Sequence, residues 1–246
     1  MTIPPQFRRR NFGIVRVTGA DARAFLHGQT TQDIAGLAEN QVSLAAWLSP
    51  KGRVRALFYV VPCNDGFALL TAADNAAWLA SQLAIYVLRA DVQLEADPNW
   101  GLEATHDVDA SVQNTLEIAA IAAGIPALPA ALRELYIPQM LNLDRLNAIS
   151  FTKGCYPGQE IVARTANLGS VKRRLQRFHC DGALPETGAN IVDANGDTVG
   201  EVNRSAQGDH GIELLAVVPI ASPPAPLSVG AGGSALKRIP LPYDRD

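Results

Sequence analysis

Two apolar, β-favouring runs at residues 42–48 and 54–61 flank the tetrapeptide Ser49-Pro-Lys-Gly52. Proline and glycine stand at the positions that a type I turn favours, and the flanking residue types are typical of strands. The pattern therefore predicts an antiparallel hairpin. The turn sequence Asn64-Asp-Gly66 then leads into a third strand at residues 67–71.

Helices are predicted between and after these strands. After a first strand at residues 12–17, Thr18-Gly-Ala-Asp21 has the spacing of a capping box, which predicts a helix at 22–27. Thr30-Thr-Gln-Asp33 repeats that signal and predicts a second, short helix. Asp74 is placed to cap a further helix with an apolar face.

The pattern changes at about residue 170. The preceding part of the chain contains two further helices, predicted at 114–123 and 160–166, whereas short β runs cut by glycine, proline and an Asn195-Gly196 turn follow. We therefore expect an α+β protein with a mixed region at 1–169 and a smaller all-β domain at 170–246.

Composition narrows the class of protein. The chain has 246 residues, of which 48% are hydrophobic and 18% charged, and this is typical of a folded globular protein. A net charge of -3 disfavours direct nucleic-acid binding over the whole surface. The N-terminal ten residues lack the pattern of a secretory signal, and no segment is apolar enough to cross a bilayer. We expect a cytoplasmic protein.

Cysteine usage points to one residue. The three cysteines are an odd number without a Cys-x-x-Cys pair, which predicts neither a disulfide framework nor a zinc site. Cys155 lies in the segment Lys153-Gly-Cys-Tyr-Pro-Gly-Gln-Glu160, where Pro157-Gly158 predicts a type II turn just before a helix. Glycines on both sides are expected to permit unusual backbone angles and to leave the sulfur accessible.

The surroundings of Cys155 bear on its ionisation. A helix N-terminus and the neighbouring Lys153 favour the thiolate, whereas Glu160 opposes it. The alternative is a small apolar residue packed under a turn, as free cysteines often are.

The segment resembles the signature K-G-C-Y-x-G-Q-E of the YgfZ family of folate-binding proteins, relatives of the glycine-cleavage aminomethyltransferase. Similarity continues on both sides of the segment and at the N-terminus, in these stretches: Val17-Thr-Gly-Ala-Asp21, Gly28-Gln29, Lys51-Gly52, Ile137-Pro-Gln-Met140, Asn142-Leu-Asp144, Ile149-Ser-Phe151, Ile161-Val-Ala-Arg164, Lys172-Arg173 and Pro240-Leu-Pro-Tyr243. The resemblance implies GcvT-like mixed modules around a channel, the second of them shortened, followed by a C-terminal β-barrel.

The resemblance also implies a function. It predicts a tetrahydrofolate-binding accessory protein that supports assembly or repair of iron–sulfur clusters, including those of tRNA-modifying enzymes, with Cys155 as the working residue. A single thiolate is too few ligands for a stable cluster, so no resident metal is expected. The other motif residues expected to shape the site are Lys153, Gly154, Tyr156, Gly158, Gln159, Glu160 and Arg164.

Four further residues are assigned to folate by the same resemblance: Phe12, Lys51, Leu116 and Glu117. Phe12 and Leu116 stand where a bacterial relative has tryptophans, and Ala122 stands where the aminomethyltransferase has its pterin-binding glutamate. Two alternatives therefore stay open. One is a folate-dependent one-carbon transferase that uses Glu117, and the other is an interaction module that no longer binds folate.

A basic cluster follows the motif, formed by Lys172-Arg-Arg174 and Arg177. It is typical of a solvated strand edge, where lysines oppose aggregation. The alternative is attraction for the glutamate tail of a folate or for tRNA phosphate.

Overall fold

A computed structural model of the protein describes residues 12–97, 110–221 and 226–244. The N-terminal ten residues, which were predicted not to form a secretory signal, lie outside this part of the chain. Its helices and strands are, in chain order, β1 (Phe12–Thr18), α1 (Ala22–Gln29), β2 (Ser43–Leu48), β3 (Val54–Cys63), β4 (Gly66–Ala72), α2 (Ala76–Ala84), β5 (Gln93–Ala96), α3 (Ala110–Ala122), α4 (Gln159–Asn167), β6 (Arg173–Cys180), β7 (Asn190–Val192), β8 (Thr198–Gly208), β9 (Gly211–Pro219), β10 (Ser228–Val229) and β11 (Lys237–Ile239).

The chain forms two compact units. The first contains residues 1–108, 128–138 and 146–167, and the second contains residues 109–127, 139–145 and 168–246. Each unit has one antiparallel sheet together with helices, so the expected mixture of helix and strand is present. Among the described residues, no helix combines the length and apolar character needed to cross a membrane.

The first unit is organised around a five-stranded sheet with the order β2-β3-β4-β1-β5. The predicted hairpin is confirmed as β2 and β3, joined by a turn in which Gly52 N donates to Ser49 O at 2.8 Å. The strand predicted at 67–71 is confirmed as β4. Apolar side chains of α1, α2 and the strands form one core that includes Leu26, Trp47 and Leu79. This sheet supports the motif loop described below.

The helices predicted at 22–27 and after Asp74 are confirmed as α1 and α2. Their predicted caps and the short helix at 30–33 are wrong, because tertiary hydrogen bonds engage these groups elsewhere. The Asp21 carboxylate accepts from Asp91 N at 2.8 Å and does not cap α1. Asp74 accepts from Ala130 N at 2.8 Å and does not cap α2. No helix forms at residues 30–33, because the backbone of Thr31 donates to Ala46 O in β2 at 2.9 Å.

The second unit contains a six-stranded antiparallel sheet with the order β10-β7-β8-β9-β6-β11. Helix α3 lies against β8 and ends at Ala122. Two residues later Gly124 has a positive φ of 70°, which suits glycine after a helix. The described pairings leave β10 and β11 at the two edges of the sheet. The closed β-barrel and the channel therefore stay predictions.

Candidate functional site

The loop that carries Cys155 lies in the first unit and has the predicted turn. Gln159 N donates to Tyr156 O at 3.3 Å, and Gly158 has a φ of 78°. These values match a type II turn with Pro157 and Gly158 at its centre. Helix α4 begins immediately afterwards, at Gln159, so the prediction of a turn followed by a helix is confirmed.

The two glycines of the loop are not equivalent. A Cβ on Gly158 would lie 2.5 Å from Ser49 O and 2.9 Å from the Gly52 Cα, both in the hairpin turn. Gly154 has no positive φ, and a Cβ there would have no atom within 4 Å. The expectation that both glycines supply unusual angles is wrong for Gly154, because its backbone is ordinary and its surroundings are open.

The hairpin turn packs directly on the first turn of α4. A Cβ on Gly52 would lie 2.7 Å from the Ile161 Cβ, so only a glycine allows this approach. Lys51, next to Gly52, is exposed, and its ammonium has no polar partner among the described residues. The hairpin therefore fixes the end of the motif loop and presents Lys51 to solvent.

Cys155 is exposed to solvent, which excludes the alternative of an apolar residue packed under a turn. The side chain of Gln159 closes the loop around it. Its Oε1 accepts from Tyr156 N at 3.1 Å, and its Nε2 donates to the Cys155 sulfur at 3.6 Å. One amide thus fixes the backbone after the cysteine and supplies a donor to the sulfur.

The ammonium of Lys153 has a role that the sequence did not reveal. It donates to His27 O and, at 2.7 Å, to Thr30 O at the C-terminal end of α1. It also lies 4.9 Å from the centre of the Tyr156 ring. Cations are favoured near free carbonyl groups at a helix C-terminus. Lys153 therefore ties the start of the motif loop to α1.

Burial shifts the pKa of two motif residues. It lowers the pKa of Lys153 from 10.5 to about 8, although nearby Asp33 opposes this shift. Burial also raises the pKa of the Tyr156 hydroxyl to about 12. The Lys153 side chain is half-buried and the Tyr156 side chain is buried, whereas Cys155 is exposed.

The lowered pKa of Lys153 predicts a pH effect on stability. Between pH 8 and pH 10.5 the unfolded chain holds this proton and the folded chain does not, so Lys153 makes the free energy of unfolding rise with pH. Below pH 8 both states are protonated and the contribution is constant. Urea unfolding of the wild type and Lys153→Met across this window measures the effect. The free energy of unfolding of the wild type minus that of Lys153→Met should increase with pH. A constant difference would contradict the assignment.

Two motif residues of α4 face solvent. Glu160 and Arg164 are exposed and lie four residues apart, on one side of the helix. Within the described residues neither forms an ion pair. Both are therefore available to a partner, and in the described part of the chain neither is hydrogen-bonded to the Cys155 sulfur, which accepts from Gln159.

The residues assigned to folate meet the needs of that cofactor only in part. The ring of Phe12 is half-buried and stands edge-on to Tyr59, with 6.4 Å between ring centres. Leu116, on α3, offers no ring for stacking. Glu117 forms an ion pair with Arg204 at 2.5 Å, so its carboxylate is already engaged. Of the four residues, Phe12 provides an aromatic ring and Lys51 provides a cation. Glu117 does not provide a free carboxylate for the pterin, because it is paired with Arg204.

The basic cluster of the second unit is mostly engaged in internal contacts. Arg174 binds Asp144 through two hydrogen bonds of 2.9 and 2.8 Å, and Arg177 pairs with Glu213 at 3.0 Å. Arg173 donates to Val199 O at 2.6 Å. Lys172 alone of the four is exposed. The arginines are therefore not free to bind an anion such as a phosphate.

The remaining cysteines differ from Cys155. Cys63 is half-buried and Cys180 is buried, and burial raises the pKa of both thiols. Across the described ranges, no three histidine, cysteine, aspartate or glutamate side chains are grouped as a metal site requires. Cys155 is thus the cysteine placed for contact with another molecule.

Sequence comparison finds relatives with nearly full coverage. A "tRNA-modifying protein YgfZ" of Vibrio vulnificus (strain CMCP6) is 30% identical, over 96% of this chain and 91% of the relative. An uncharacterised protein of Haemophilus influenzae is 32% identical, over 68% of this chain and 70% of its own length. The protein named YgfZ in Shigella boydii serotype 4 is 26% identical over 95% of this chain. No family model matches the chain.

Structure comparison finds a fold neighbour. The glycine cleavage system aminomethyltransferase T of Bartonella henselae superimposes with a TM-score of 0.62 over 94% of this chain and 84% of that chain. Sequence identity is 15%, so the likeness establishes the fold and nothing further. The expected GcvT-like fold is confirmed at this level.

Proposed function

The chain belongs to the YgfZ family, and from this premise we propose that it is a tetrahydrofolate-binding accessory protein for iron–sulfur enzymes, including enzymes that modify tRNA. In this role Cys155 is the working residue. The partners are iron–sulfur enzymes or the proteins that assemble their clusters.

The exposed and fixed sulfur of Cys155 is the observation that carries this proposal. The hairpin turn, Gly158 and Gln159 hold the loop, and the sulfur stays accessible. Thiolates bind iron and attack sulfur, but clusters usually need four cysteine ligands. One accessible cysteine therefore suits a transient contact in which the partner supplies the other ligands.

A complementation experiment tests the role of the sulfur. Cys155→Ser should fold like the wild type, because the side chain is exposed and the two residues have similar volume. In a strain that lacks its own copy of the gene, this variant should fail to restore an iron–sulfur-dependent tRNA modification, measured as modified nucleoside by mass spectrometry. Cys63→Ser is the matched control and should restore it. Full restoration by Cys155→Ser would remove the cysteine from the function.

Tetrahydrofolate is the proposed small ligand. The half-buried ring of Phe12 supports stacking on a pterin, and the exposed ammonium of Lys51 supports attraction of the glutamate tail. Glu117 gives no such support, because Arg204 already neutralises it. The same ion pair disfavours the one-carbon transferase alternative, which needs a free carboxylate at this position.

Calorimetric titration with tetrahydrofolate tests whether the protein binds this ligand. Wild type and Cys155→Ser should bind alike, and Phe12→Ala should bind about tenfold more weakly if ring stacking contributes roughly 1.4 kcal/mol. Leu116→Ala, the control, should bind like the wild type. Absence of binding would favour the interaction-module alternative without affecting the complementation result.

A further inference from the structure

An open groove in the first unit lies beside the motif loop. Its volume is about 660 Å³, and the residues that line it include 41–44 and 149–152. Residue 152 directly precedes Lys153, so the groove wall continues into the loop that carries Cys155. None of the motif residues 153–160 lines the groove, nor do Phe12, Lys51, Leu116 or Glu117.

One wall of the groove is an unpaired strand edge. Strand β2 is the edge strand of the five-stranded sheet. At Ala46 its outer side is covered, because Thr31 N donates to Ala46 O and Ala46 N donates to Thr31 Oγ1, both at 2.9 Å. Backbone groups of a strand point to the same side at every second residue. The N–H and C=O of Leu44 must therefore also point outward.

These outward groups of Leu44 face the groove. Leu44 lines it, and in the described part of the chain its outward N–H and C=O have no hydrogen-bond partner. Thr30 and Thr31 begin a further antiparallel strand beside β2, through a bridge to Trp47. That strand stops because the chain turns away at Gln32, whose Nε2 donates to Asn147 O at 2.5 Å. The place beside Leu44 is thereby left open.

The groove also offers an apolar anchor and one charge. The ring of Phe151 is 53% exposed at its wall. Asp33 is the ionisable residue among the lining side chains, and by the register of the Thr30–Trp47 bridge it would have been paired with Leu44 if the strand had continued. Its Oδ1 accepts from Gly36 N at 3.0 Å and lies 3.2 Å from His27 Nδ1, and its charge also acts on the Lys153 ammonium. Its Oδ2 has no hydrogen-bond partner within the described ranges. The groove therefore favours a basic over an acidic occupant.

We propose that this groove docks an extended segment of a partner protein, which pairs with Leu44 as an added strand and places a lysine or arginine near Asp33. Exposed strand edges bind peptides in this way, with main-chain hydrogen bonds giving affinity and side-chain pockets giving specificity. Of the lining residues, Ser43 and Leu44 belong to β2 and span about 7 Å of strand, so the main-chain pairing involves about two residues of the docked segment. The proposal is independent of the role of Cys155.

A labelled model peptide tests the proposal. The probe is a fluorescein-labelled hexapeptide of alternating lysine and valine, in which valine favours the extended form. The control peptide carries N-methyl groups on alternate residues, which removes the main-chain donors on one edge while leaving the charge unchanged. Fluorescence anisotropy should show at least about tenfold weaker binding of the methylated peptide, since each lost hydrogen bond costs on the order of 1 kcal/mol. Equal binding of the two peptides, or no binding of either, would overturn the proposal.

Variants of the protein locate the binding. Leu44→Pro removes the outward donor, and proline is tolerated at such edge positions, so binding should be lost while the circular dichroism stays native. Asp33→Asn and Phe151→Ala, which do not touch the β2–β3 pairing, should each weaken binding severalfold. Leu184→Ala, with a matched exposure of 52%, should not. Unchanged binding in both Asp33→Asn and Phe151→Ala would overturn the proposal.

The same peptide and variants distinguish two other possible occupants of the groove, tetrahydrofolate and a second copy of this chain. Competitive displacement of the peptide by tetrahydrofolate would make the groove the folate site and overturn the proposal. A wild-type dimer that Leu44→Pro converts to a monomer in analytical ultracentrifugation would assign the edge to a second copy, which also overturns it. Full restoration by Cys155→Ser, which would remove the cysteine from the proposed function, would leave the peptide result unaffected.

Discussion

Replacing Gly158 with alanine is expected to destabilise the protein by about 3 kcal/mol, from left-handed backbone strain of about 1–2 kcal/mol and overpacking of similar size. The strain arises because φ is 78° at this position. The overpacking arises because the added Cβ would lie 2.5 Å from Ser49 O, a backbone atom that cannot move without the hairpin. Urea unfolding of both proteins measures the change.

Gly158→Ala should also change the environment of the Cys155 sulfur, and with it the reactivity of this thiol. Relief of the clash must move the turn away from the hairpin, and Gln159, which contacts both Tyr156 N and the Cys155 sulfur, moves with the turn. The rate of Cys155 alkylation by iodoacetamide in the folded protein should therefore change. Gly154→Ala is the matched control, since its Cβ meets no atom within 4 Å, and its stability should stay within about 0.5 kcal/mol of the wild type. Equal stability of both variants would contradict the packing described here.

Local signals in the sequence were sufficient for much of the first unit. The Ser49-Pro-Lys-Gly52 turn and its flanking apolar runs specify β2 and β3, and Pro157-Gly158 specifies the turn before α4. In these cases the residues that determine the structure are neighbours in the chain. Proline, glycine and β-favouring side chains act on their own backbone, and a pattern within ten residues is enough.

Long-range hydrogen bonds account for the failures. Thr31 belongs to the segment Thr30-Thr-Gln-Asp33 that was predicted to begin a helix, but its hydroxyl donates to Ala148 O at 2.7 Å, 117 residues away. Lys153 was placed beside the thiol by its position in the chain, yet its ammonium binds carbonyl groups at the end of α1, more than 120 residues away. The spacing of apolar and polar residues along the chain does not predict such long-range contacts. Polar side chains at these positions have several possible partners, and the tertiary fold decides among them.

The sequence was sufficient to predict which residues form the candidate site, but not how their side chains are arranged. The sequence located Cys155 and its turn, but the two contacts of Gln159 depend on the side-chain conformation that the folded loop imposes. The groove beside Leu44 was not predicted, because it results from a strand that stops after one bridge. This interruption has no signal in the sequence, since residues 30–33 were predicted to form a short helix.

Arg174 illustrates a basic residue whose surroundings decide its role. The sequence allowed a solvent-exposed strand edge or an anion-binding cluster. In the second unit its guanidinium instead donates to both Asp144 oxygens, to Asn142 Oδ1 at 3.1 Å and to Gln139 O at 2.9 Å. The Arg174 and Asp144 side chains are only 15% and 21% exposed. This bidentate geometry connects residues 139–145 to β6 within that unit.

Arg174→Met should therefore lower the free energy of unfolding by about 3 kcal/mol, the usual cost of leaving one partner of a largely buried ion pair unpaired. Chemical denaturation followed by circular dichroism measures this loss. Lys172→Met, a change of charge at an exposed neighbour, should alter stability by less than about 0.5 kcal/mol. Replacing Asp144 with leucine in the Arg174→Met background should restore part of the loss, since no charge is then left unpaired. If Arg174→Met weakened tetrahydrofolate binding at unchanged stability, the residue would be a ligand contact after all. The geometry predicts the opposite, because a guanidinium with four acceptors around it has little capacity left for a fifth.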